Sequence, residues 1–498
     1  MAACASTSPH TIELFFNAPQ EGTSVLTGCA GVIALTSLTL WRANRRLARF
    51  PGATRRGRKE AAMLSVRDNQ LLMQTDRGTP MGDVMRRYWM PALLAWELPA
   101  PDCPPVRVRL LGENLVAFRD TNGNVGLVQG ACPHRRASLF WGRNEEDGLR
   151  CVYHGWKFDV SGACVDMPSE PEASNFKEKV RITAYLTEEV GGVVWAYMGP
   201  AEHTPAPPLF EWTQVSPAHR SVNKVQQESN WLQGLEGGVD SIHVSYLHNN
   251  NLRDKKTFTN RVGNALVEVS PTDYGYTYGS IRHLSAEEGD FVKGYHYVMP
   301  FTQLRPDAHG TTPMVSGHMW VPVDDTHCMV YNWVYTWGDE ELSEEAIYKH
   351  GDRAYEIVDI HGGFHSSWDA SNDYGIDREV QKTQSFTGIP FDVRVGANLQ
   401  DRAIQESMGV QCDRENEHLG TSDRAIIMAR RMLLQAMATV SDGGDPPGVG
   451  ASYHKVRAVE GLLPRGANWR DHLAPQLFEG ADFETAEFGI GSKWGARS

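Results

Sequence analysis

Two cysteines and two histidines form two mixed pairs in the first third of the chain. They are Cys132, His134, Cys151 and His154, in the pattern C-x-H-x16-C-x2-H. Two thiolates can hold one iron of a two-iron, two-sulfur cluster while two imidazoles hold the other iron. Because neutral histidines replace two anionic thiolates, the reduction potential of such a cluster is raised. The pattern therefore predicts a protein that transfers single electrons.

The mixed order of these pairs argues against two simpler explanations. Structural zinc sites usually carry their cysteines as C-x2-4-C and their histidines as H-x3-5-H, whereas each pair here contains one of each. Buried thiols and histidines with no shared role would not be expected in two ordered pairs. Residues 106–111, 115–119 and 125–128 have the composition of short strands. Each pair is therefore predicted to lie in a loop at the end of a strand.

A second candidate metal site follows downstream. Asp240, His243 and His248 stand in the pattern D-x2-H-x4-H. Two histidines and one carboxylate on one face of iron form the facial triad of non-haem oxygenases, whose open positions bind dioxygen. On an ideal helix, five residues turn the side chain by about 140°, so the helix is expected to end or bulge between His243 and His248. A single histidine is more often structural, but the upstream cluster favours a metal site here.

Another histidine pair, His361 and His365, has the H-x3-H spacing of a helical metal site. Gly362 and Gly363 stand between the two and disfavour a helix, so both histidines are interpreted as loop residues. The third ligand of the iron triad must be a carboxylate. Spacing alone does not select it among 61 acidic residues.

The motifs resemble a known family. CPHR and CVYHGWKFD resemble the Rieske domain of ring-hydroxylating oxygenases, in which Trp156 is expected to pack over the cluster. Respiratory-complex relatives carry an additional cysteine in each loop, whereas Arg136, Ala137 and Val152 leave no such pair. From Met63 onward the chain resembles the phthalate 4,5-dioxygenase-type oxygenase subunits, a group that includes aryl O-demethylases and other monooxygenases. The segments that carry this resemblance include MLSVRDNQLLMQTDRGTPMGDVMRRYWMPALL, LEGGVDSIHVSYLH, YGIDREVQ, QESMG and DRENEHLGTSD.

The resemblance implies roles for the residues of the second site. His243 and His248 would bind a mononuclear Fe(II), and Asp240 would be the catalytic residue that bridges toward the cluster. The segment NLQDRAIQESMG resembles the one that supplies the carboxylate ligand, which corresponds to Asp401. Two acidic residues remain as alternatives for this ligand: Glu406 and Asp413.

Electrons are expected from a separate protein. The chain has no C-x4-C-x2-C set for a plant-type cluster and no strand-linked G-x-G-x-x-G for a nicotinamide or flavin. By resemblance, the partner is a reductase that contains a flavin and an iron–sulfur cluster and uses NAD(P)H. The resemblance also implies a head-to-tail homotrimer in which His154 of one subunit faces Asp240 of the next.

The predicted substrates are dioxygen and a small aromatic molecule that is expected to be carboxylated. A carboxylate entering this acidic protein requires a local cation. The expected reaction is hydroxylation or dihydroxylation of the ring, with oxidative O-demethylation as an alternative on the same iron site. A non-enzymatic Rieske electron carrier is the competing class. The candidate cations are Arg253, Arg261, Arg282, Arg305 and Arg394.

The chain is predicted to be an α+β protein with two domains. Residues 63–205 would form an all-β Rieske domain with an amino-terminal segment, and a proline-rich stretch at 201–212 would mark the boundary. Residues 206–445 would form a catalytic domain of the helix-grip type, in which helices cover a bent antiparallel sheet. Its predicted strands are 274–281, 295–304, 314–323 and 328–337. A helix that begins at Ser422 or Asp423 would end near Gly443, leaving a tail at 446–498.

Residues 1–62 differ in chemistry from the rest. Residues 22–41 are uncharged and are followed by eight basic residues between Arg42 and Lys59. This extension is interpreted as a membrane anchor, a transit segment or an upstream start that is not translated. The net charge of −13 argues against a nucleic-acid partner. Cys103, Cys164, Cys328 and Cys412 lack the spacing of a second cluster, and reduced thiols favour a cytoplasmic protein.

Overall fold

A computed structural model describes most of the chain from Leu64 onward. The described ranges are 64–309, 312–350, 358–359, 362–391, 396–450 and 452–478. The amino-terminal extension, His361 and Arg394 therefore lie outside the described residues. Within these ranges, no helix has the length and apolar character needed to span a membrane.

The amino-terminal part is built from strands. Two short helices come first, α1 (Val66–Met73) and α2 (Pro80–Met85), and the side chains of Ser65 and Thr79 cap them. One sheet has the order β1-β10-β9-β4-β3-β2 and a second has the order β5-β6-β7-β8. The strands are β1 (Trp89–Leu94), β2 (Val106–Leu110), β3 (Glu113–Arg119), β4 (Val125–Gln129), β5 (Arg143–Glu145), β6 (Gly148–Arg150), β7 (Lys157–Phe158), β8 (Cys164–Asp166), β9 (Ala184–Val190) and β10 (Val193–Tyr197).

The three strands predicted in this part are present as the antiparallel meander β2-β3-β4. A small core of its own lies beneath the two Cys-His loops and includes Val116, Phe118, Leu149 and Phe158. Apolar side chains that alternate along β3 supply part of this core, because every second residue of a strand faces the same side. The two loops therefore rest on packed strands.

The carboxy-terminal part is one antiparallel sheet with helices. Its strands follow the order β11-β17-β16-β15-β14-β13-β12, and β20 pairs with β14. The strands are β11 (Arg220–Gln227), β12 (Leu266–Pro271), β13 (Gly275–His283), β14 (Asp290–Val298), β15 (Thr302–His309), β16 (Thr312–Pro322), β17 (Cys328–Thr336) and β20 (Val459–Leu463), with the separate pair β18 (Val358–Asp359) and β19 (His365–Ser366). The helices are α3 (Glu211–Gln214), α4 (Trp231–Val239), α5 (Phe258–Arg261), α6 (Glu344–His350), α7 (Arg378–Thr383), α8 (Asn398–Ser407), α9 (Arg424–Ser441) and α10 (Trp469–Leu477).

The helices pack on this sheet as an α+β fold requires. Helix α4 contacts β15, β16 and β17, and the long helix α9 contacts β12 and β13. Helix α4 also contacts α8 and α9. The predicted fold class, an all-β Rieske part followed by a sheet covered by helices, is confirmed.

One predicted strand is wrong. The segment 295–304 was expected to be a single strand, but β14 ends at Val298 and β15 begins at Thr302. The residues of the intervening turn are as buried as the strands, with Met299 and Phe301 only 3% and 2% exposed. The apolar character of the segment therefore did not indicate a turn. Pro300 was the only residue there that disfavours a continuous strand.

The segment predicted as a tail also differs. Residues 459–463 form β20, which pairs with β14 from Asp290 to Gly294, and α10 packs against both strands. Residues 459–463 are thus a strand of the catalytic sheet, and α10 covers it. The sequence VEGLL is short and contains a central glycine, so its strand signal was weak.

Candidate metal centres

The two Cys-His loops have the same backbone geometry. The amide of Cys132 donates to the carbonyl five residues later at 2.8 Å, and Arg136 donates back to Cys132 at 2.9 Å. Around Cys151, the corresponding bonds are 2.8 and 2.9 Å, the second one from Gly155. Arg136 and Gly155 both have the left-handed conformation, with φ of 63° and 79°. Each loop therefore turns back on its cysteine, which places a thiol and an imidazole on the same side.

The four side chains of these loops lie together. The rings of His134 and His154 are 4.4 Å apart between centroids, and Trp156 stacks on His134 at 4.5 Å. Cys132 and Cys151 are 1% and 2% exposed. Burial, reinforced by the neighbouring thiol, raises the pKa of Cys132 to about 11. Such a thiol is deprotonated at neutral pH only when a metal binds it, so the donor set fits an iron–sulfur cluster.

The spacing of these ligands is wider than one metal ion requires. Among the described residues, only His243, His248 and Asp401 bring three ligand atoms within 4.8 Å of one another. No three ligand atoms of the Cys-His set lie this close together, as they would around one tetrahedral zinc ion. The geometry therefore favours a two-iron cluster over structural zinc.

The second site begins where α4 ends. Asp240 follows the helix directly, and its amide makes the last helical bond, to Glu236 O, at 3.1 Å. His243 opens a short 3-10 turn, His243–Ser245, and His248 follows in a loop. The helix was expected to end between the two histidines, but it ends before both. Because the chain reverses direction after Asp240, the two imidazoles can still face the same point, which they could not do on one continuous helix.

The two histidines meet a carboxylate from α8. His248 Nε2 lies 3.2 Å from Asp401 Oδ1, and His243 Nε2 lies 3.6 Å from the same oxygen. Burial alone would raise the pKa of Asp401, but the two imidazoles, His248 first, hold it well below its usual range. Two nitrogens and one carboxylate oxygen are the donor set of a facial triad. These residues fit a mononuclear iron.

The two alternative carboxylates are engaged elsewhere. Glu406 accepts hydrogen bonds from Glu228 N at 3.0 Å and from the Tyr374 hydroxyl. Asp413 accepts from Asn416 Nδ2 at 2.6 Å and from a nearby amide. Neither belongs to the ligand group that contains His243 and His248. His365, from the other histidine pair, lies in β19 and contacts Glu228 at 3.2 Å.

Asp240 contacts one histidine of the triad. Its Oδ2 lies 3.4 Å from His243 Nδ1, and its Oδ1 accepts the Ile242 amide at 2.8 Å. Burial would lower the pKa of His243, but the hydrogen bond to Asp240 and the charges of Asp401 and Asp240 outweigh burial and raise it. Burial opposes ionisation of Asp240 as well, yet the bond from His243 lowers its pKa overall. The pair therefore stabilises a proton on the outer nitrogen of His243.

A buried arginine organises the chain between Asp240 and His248. Arg282 is 0% exposed and donates to Ser241 O at 2.9 Å, Ser245 Oγ at 3.3 Å and Val262 O at 3.2 Å. Burial lowers its pKa. Within the described ranges it forms no ion pair. Arg282 was a candidate for binding substrate, but its guanidinium donates to two groups of this segment and to the Val262 carbonyl. Nothing in the local spacing indicated the role.

A cavity of about 660 Å³ adjoins the triad. It is lined by Asp240, by the three triad residues and by aromatic side chains that include Tyr295, Trp320 and Phe391. Of the four candidate arginines in the described residues, only Arg305 lines it. Its Nε donates to Ser316 Oγ at 2.8 Å. In contrast, Arg261 forms a surface ion pair with Glu288 at 2.7 Å.

Comparisons with known proteins agree with this two-part architecture. Residues 88–180 match the family described as Rieske [2Fe-2S] domain, and residues 196–487 match the one described as LigXa C-terminal domain like. The phthalate 4,5-dioxygenase oxygenase subunit of Pseudomonas putida is 37% identical over 83% of this chain and 95% of that protein. The 3-chlorobenzoate-3,4-dioxygenase oxygenase subunit of Comamonas testosteroni is 38% identical, covering 82% and 97%. The 5,5'-dehydrodivanillate O-demethylase oxygenase subunit of Sphingobium is 34% identical, covering 78% and 84%.

A solved structure shares the fold. NdmA of Pseudomonas putida CBB5 superposes with a TM-score of 0.53 at 18% identity, covering 74% of this chain and 96% of that one. A Rieske domain joined to a catalytic domain of this kind defines the large subunits of Rieske oxygenases. The chain belongs to this family, as the motifs predicted, and is similar to the phthalate 4,5-dioxygenase oxygenase subunit over most of its length. It is therefore an enzyme, the oxygenase component of a ring-hydroxylating or demethylating system, and not a simple electron carrier.

Proposed function

We propose that this protein oxidises a small aromatic carboxylate with dioxygen, using a mononuclear Fe(II) held by His243, His248 and Asp401. The observation that carries the proposal is the position of this triad at the wall of a 660 Å³ cavity. When bound, the cluster would supply single electrons and the Fe(II) would supply the open positions for oxygen chemistry. The side chains of the protein would orient the ligands, hold protons and bind the substrate.

Asp240 is the proposed catalytic residue between the two metal centres. Its carboxylate accepts a hydrogen bond from the N–H group at Nδ1 of His243. The unprotonated Nε2 then faces the proposed metal position. A carboxylate behind a ligand imidazole fixes the tautomer and makes the imidazole more basic. Asp240 therefore orients His243 and holds its proton at Nδ1.

Arg305 is the proposed anchor for the substrate carboxylate. Within the described residues its guanidinium forms no ion pair, and its one hydrogen bond runs from Nε to Ser316 Oγ, which leaves the two terminal nitrogens for a ligand in the cavity. Arginine binds carboxylates through two parallel N–H bonds. The surrounding Tyr295, Trp320 and Phe391 offer apolar faces to an aromatic ring. The names of two relatives, which act on phthalate and 3-chlorobenzoate, support a carboxylated arene.

The electrons would come from a reductase that contains a flavin and an iron–sulfur cluster and oxidises NAD(P)H. They would enter at the cluster held by Cys132, His134, Cys151 and His154. The sequence carries no nicotinamide-binding or flavin-binding fingerprint of its own.

Exposed apolar side chains next to both centres support a head-to-tail homotrimer. Val152 and Tyr153, which precede His154, are 57% and 52% exposed. On the catalytic part, the rings of Tyr246 and Phe386 meet edge to face, with centroids 5.6 Å apart, and each side chain is about half exposed. Clustered exposed apolar residues mark interfaces. A contact between two different patches is heterologous, and a heterologous contact forms a ring when its rotation closes.

Oxidative O-demethylation is the second candidate. The observation that favours it is the 34% identity to an O-demethylase oxygenase subunit. Both reactions use the same ligand set and differ in the carbon that the pocket presents. Loss of a methyl group from a methoxylated arene would release formaldehyde, whereas ring attack would give a diol or a phenol.

The test is anaerobic reconstitution with Fe(II) and a surrogate reductase, followed by exposure to oxygen and product analysis. The substrate panel contains phthalates, benzoates and methoxylated aromatic acids. Hydroxylated aromatic acids are expected, and formaldehyde would assign the second candidate. The proposal is wrong if the protein, with its cluster intact, binds no iron beyond the cluster or consumes no oxygen with any substrate of the panel.

A further inference from the structure

The residue before the triad carboxylate contacts the second histidine. Gln400 is 0% exposed, and its Oε1 lies 2.9 Å from His248 Nδ1. Its Nε2 lies 2.7 Å from Asn250 Oδ1, 3.2 Å from Thr387 Oγ1 and 3.2 Å from Ile389 O. One amide thus joins a proposed iron ligand to two other chain segments.

The neighbours of Gln400 determine which way its amide points. The Ile389 carbonyl can only accept a hydrogen bond, so the amide nitrogen of Gln400 must face it. Asn250 is oriented in the same way, because its Nδ2 donates to His248 O at 3.1 Å, which turns its Oδ1 toward Gln400. Two independent acceptors therefore assign the amide nitrogen, and Oε1 is left facing His248.

This orientation fixes the tautomer of His248. An amide oxygen can only accept, so the proton of the neutral imidazole must reside on Nδ1. The Nε2 lone pair then faces Asp401, whose Oδ1 lies 3.2 Å away. The unprotonated Nε2 is the nitrogen through which His248 would bind the proposed iron.

The two histidines of the triad have different supports. His243 faces the carboxylate of Asp240, whereas His248 faces a neutral amide. A carboxylate behind an imidazole adds negative charge near the metal and can take up a proton, while an amide does neither. The charged support is therefore confined to the histidine nearest Asp240.

We propose that Gln400 is a positioning residue that holds His248 in the ligating tautomer through a neutral acceptor. The inference rests on the proposed iron triad. A merely structural role is the alternative, in which Gln400 matters only because its amide nitrogen connects the segments at Asn250 and at 387–389. The two roles involve opposite ends of the same side chain.

Two substitutions separate these ends. Gln400→Met removes both the acceptor and the donors, whereas Gln400→Glu retains an acceptor for His248 and removes the donors. We expect Gln400→Met to weaken Fe(II) binding about 10- to 100-fold, measured by competition with a chelator. Gln400→Glu should bind Fe(II) within about 3-fold of the wild type. The midpoint temperature of thermal unfolding should be lower in both variants, because both lose the hydrogen-bond donors of the Gln400 amide.

Two further variants serve as controls. Thr387→Val removes an acceptor on the donor side only, so it should leave iron affinity unchanged. Gln233 is also buried and makes three hydrogen bonds, to Gln405 O, to Gly409 O and from Cys412 N, but it contacts no ligand histidine. Gln233→Met should therefore lower stability without weakening Fe(II) binding. The visible absorption of the cluster reports the fold of the Rieske part in every variant.

The outcomes are distinguishable. Equal losses of affinity in Gln400→Met and Gln400→Glu, or a loss in Thr387→Val, would show that Gln400 acts only as a structural connection. Unchanged affinity in a folded Gln400→Met would also overturn the inference. If either Gln400 variant fails to fold, Thr387→Val still tests the donor side. A wild-type protein that binds no iron beyond its cluster would instead contradict the proposed function itself.

Discussion

Asp240 lies at the end of α4, next to His243, a proposed iron ligand. Its carboxylate accepts the Ile242 amide with one oxygen and faces His243 with the other. Its pKa is lowered overall, while that of His243 is raised. The two groups therefore stabilise each other's charged forms. The contact depends on the negative charge of the Asp240 carboxylate more than on the shape of that side chain.

The contact between Asp240 and His243 predicts the effect of Asp240→Asn. The amide preserves the size of the side chain but removes the charge that holds the His243 proton. We expect both the cluster and the Fe(II) to be retained, while turnover falls by about 100-fold or more. Metal analysis, visible spectra and oxygen uptake measure these quantities. Normal turnover in this variant would refute the proposed role of Asp240.

Arg305→Met tests the substrate anchor. A hydrogen bond to a charged group contributes about 1.5–3 kcal/mol, so KM for a carboxylated substrate should rise about 10- to 100-fold. KM for a neutral aromatic analogue should change little. Arg261→Met is the matched control, because Arg261 pairs with Glu288 and does not line the cavity. An equal rise of KM for both classes of substrate would contradict a carboxylate-specific contact.

At the level of elements, α4 lies unusually close to the sheet. A Cβ atom at Gly234 would lie 2.1 Å from the Trp320 ring, and one at Gly238 would lie 1.9 Å from it. Trp320 belongs to β16 and lines the cavity. The glycines, which lower helix propensity, are therefore explained by the approach of the helix to this indole. This packing places the end of α4, and with it Asp240, beside the cavity.

Gly238→Ala should therefore destabilise the protein. Overpacking costs about 1–3 kcal/mol, which exceeds the gain of up to about 1 kcal/mol in helix propensity. Displacement of Trp320 should also raise KM. Gly450→Ala, where a Cβ would meet nothing within 4 Å, is the control. Chemical denaturation measures both variants, and a stabilised Gly238→Ala protein would contradict the close packing.

Another element contact predicts a pH dependence. His296 of β14 is fully buried, its Nε2 donates to Arg457 O at 3.0 Å and its Nδ1 accepts from the Tyr274 hydroxyl at 2.8 Å. Burial lowers its pKa from 6.5 to about 4. Because the unfolded histidine takes up a proton that the folded one excludes, the free energy of unfolding should fall as the pH drops from 6.5 toward 4.

The contribution of His296 can be isolated by substitution. In His296→Gln this proton uptake is absent, so its stability should depend less steeply on pH, by about 1.4 kcal/mol per pH unit at most. Urea denaturation across this pH interval gives the two slopes. Identical slopes for the wild type and the variant would show that His296 is not held neutral by burial.

At the level of the whole molecule, each centre has an exposed apolar patch beside it. The patch at Val152 and Tyr153 adjoins the cluster, and the patch at Tyr246 and Phe386 adjoins the iron triad. If the two patches meet in a head-to-tail ring, electrons cross between subunits. Activity would then depend on residues of two different chains.

Mixed trimers test this arrangement. Cys132→Ser lacks the cluster and Asp401→Ala lacks the iron, so each variant alone should be inactive. In a ring of three that contains both variants, one interface joins an intact cluster to an intact iron site, and about one third of wild-type activity should return. Co-expression with two different affinity tags isolates these trimers. Inactive mixed trimers would indicate that electrons do not cross between subunits.

Several features followed from the sequence because they depend on neighbouring residues. The two Cys-His loops and the strands β2 to β4 involve short spacings, which local backbone geometry determines. The positions of His243 and His248 were also apparent, although the helix ended earlier than predicted. The proposed ligand role of Asp401 came only from family resemblance, since one acidic residue among many carries no local signal.

Tertiary structure alone decided the rest. Gln400 meets His248 across 152 positions of the chain, and Arg282 reaches Ser241 across 41. Strand β20 joins the sheet because β14 offers it a free edge segment, although its own five residues have little strand propensity. Contacts of this kind depend on how the sheet and helices pack, and packing is a property of the whole chain. The local spacings determined which chemistry is available, and the fold determined which groups support and orient it.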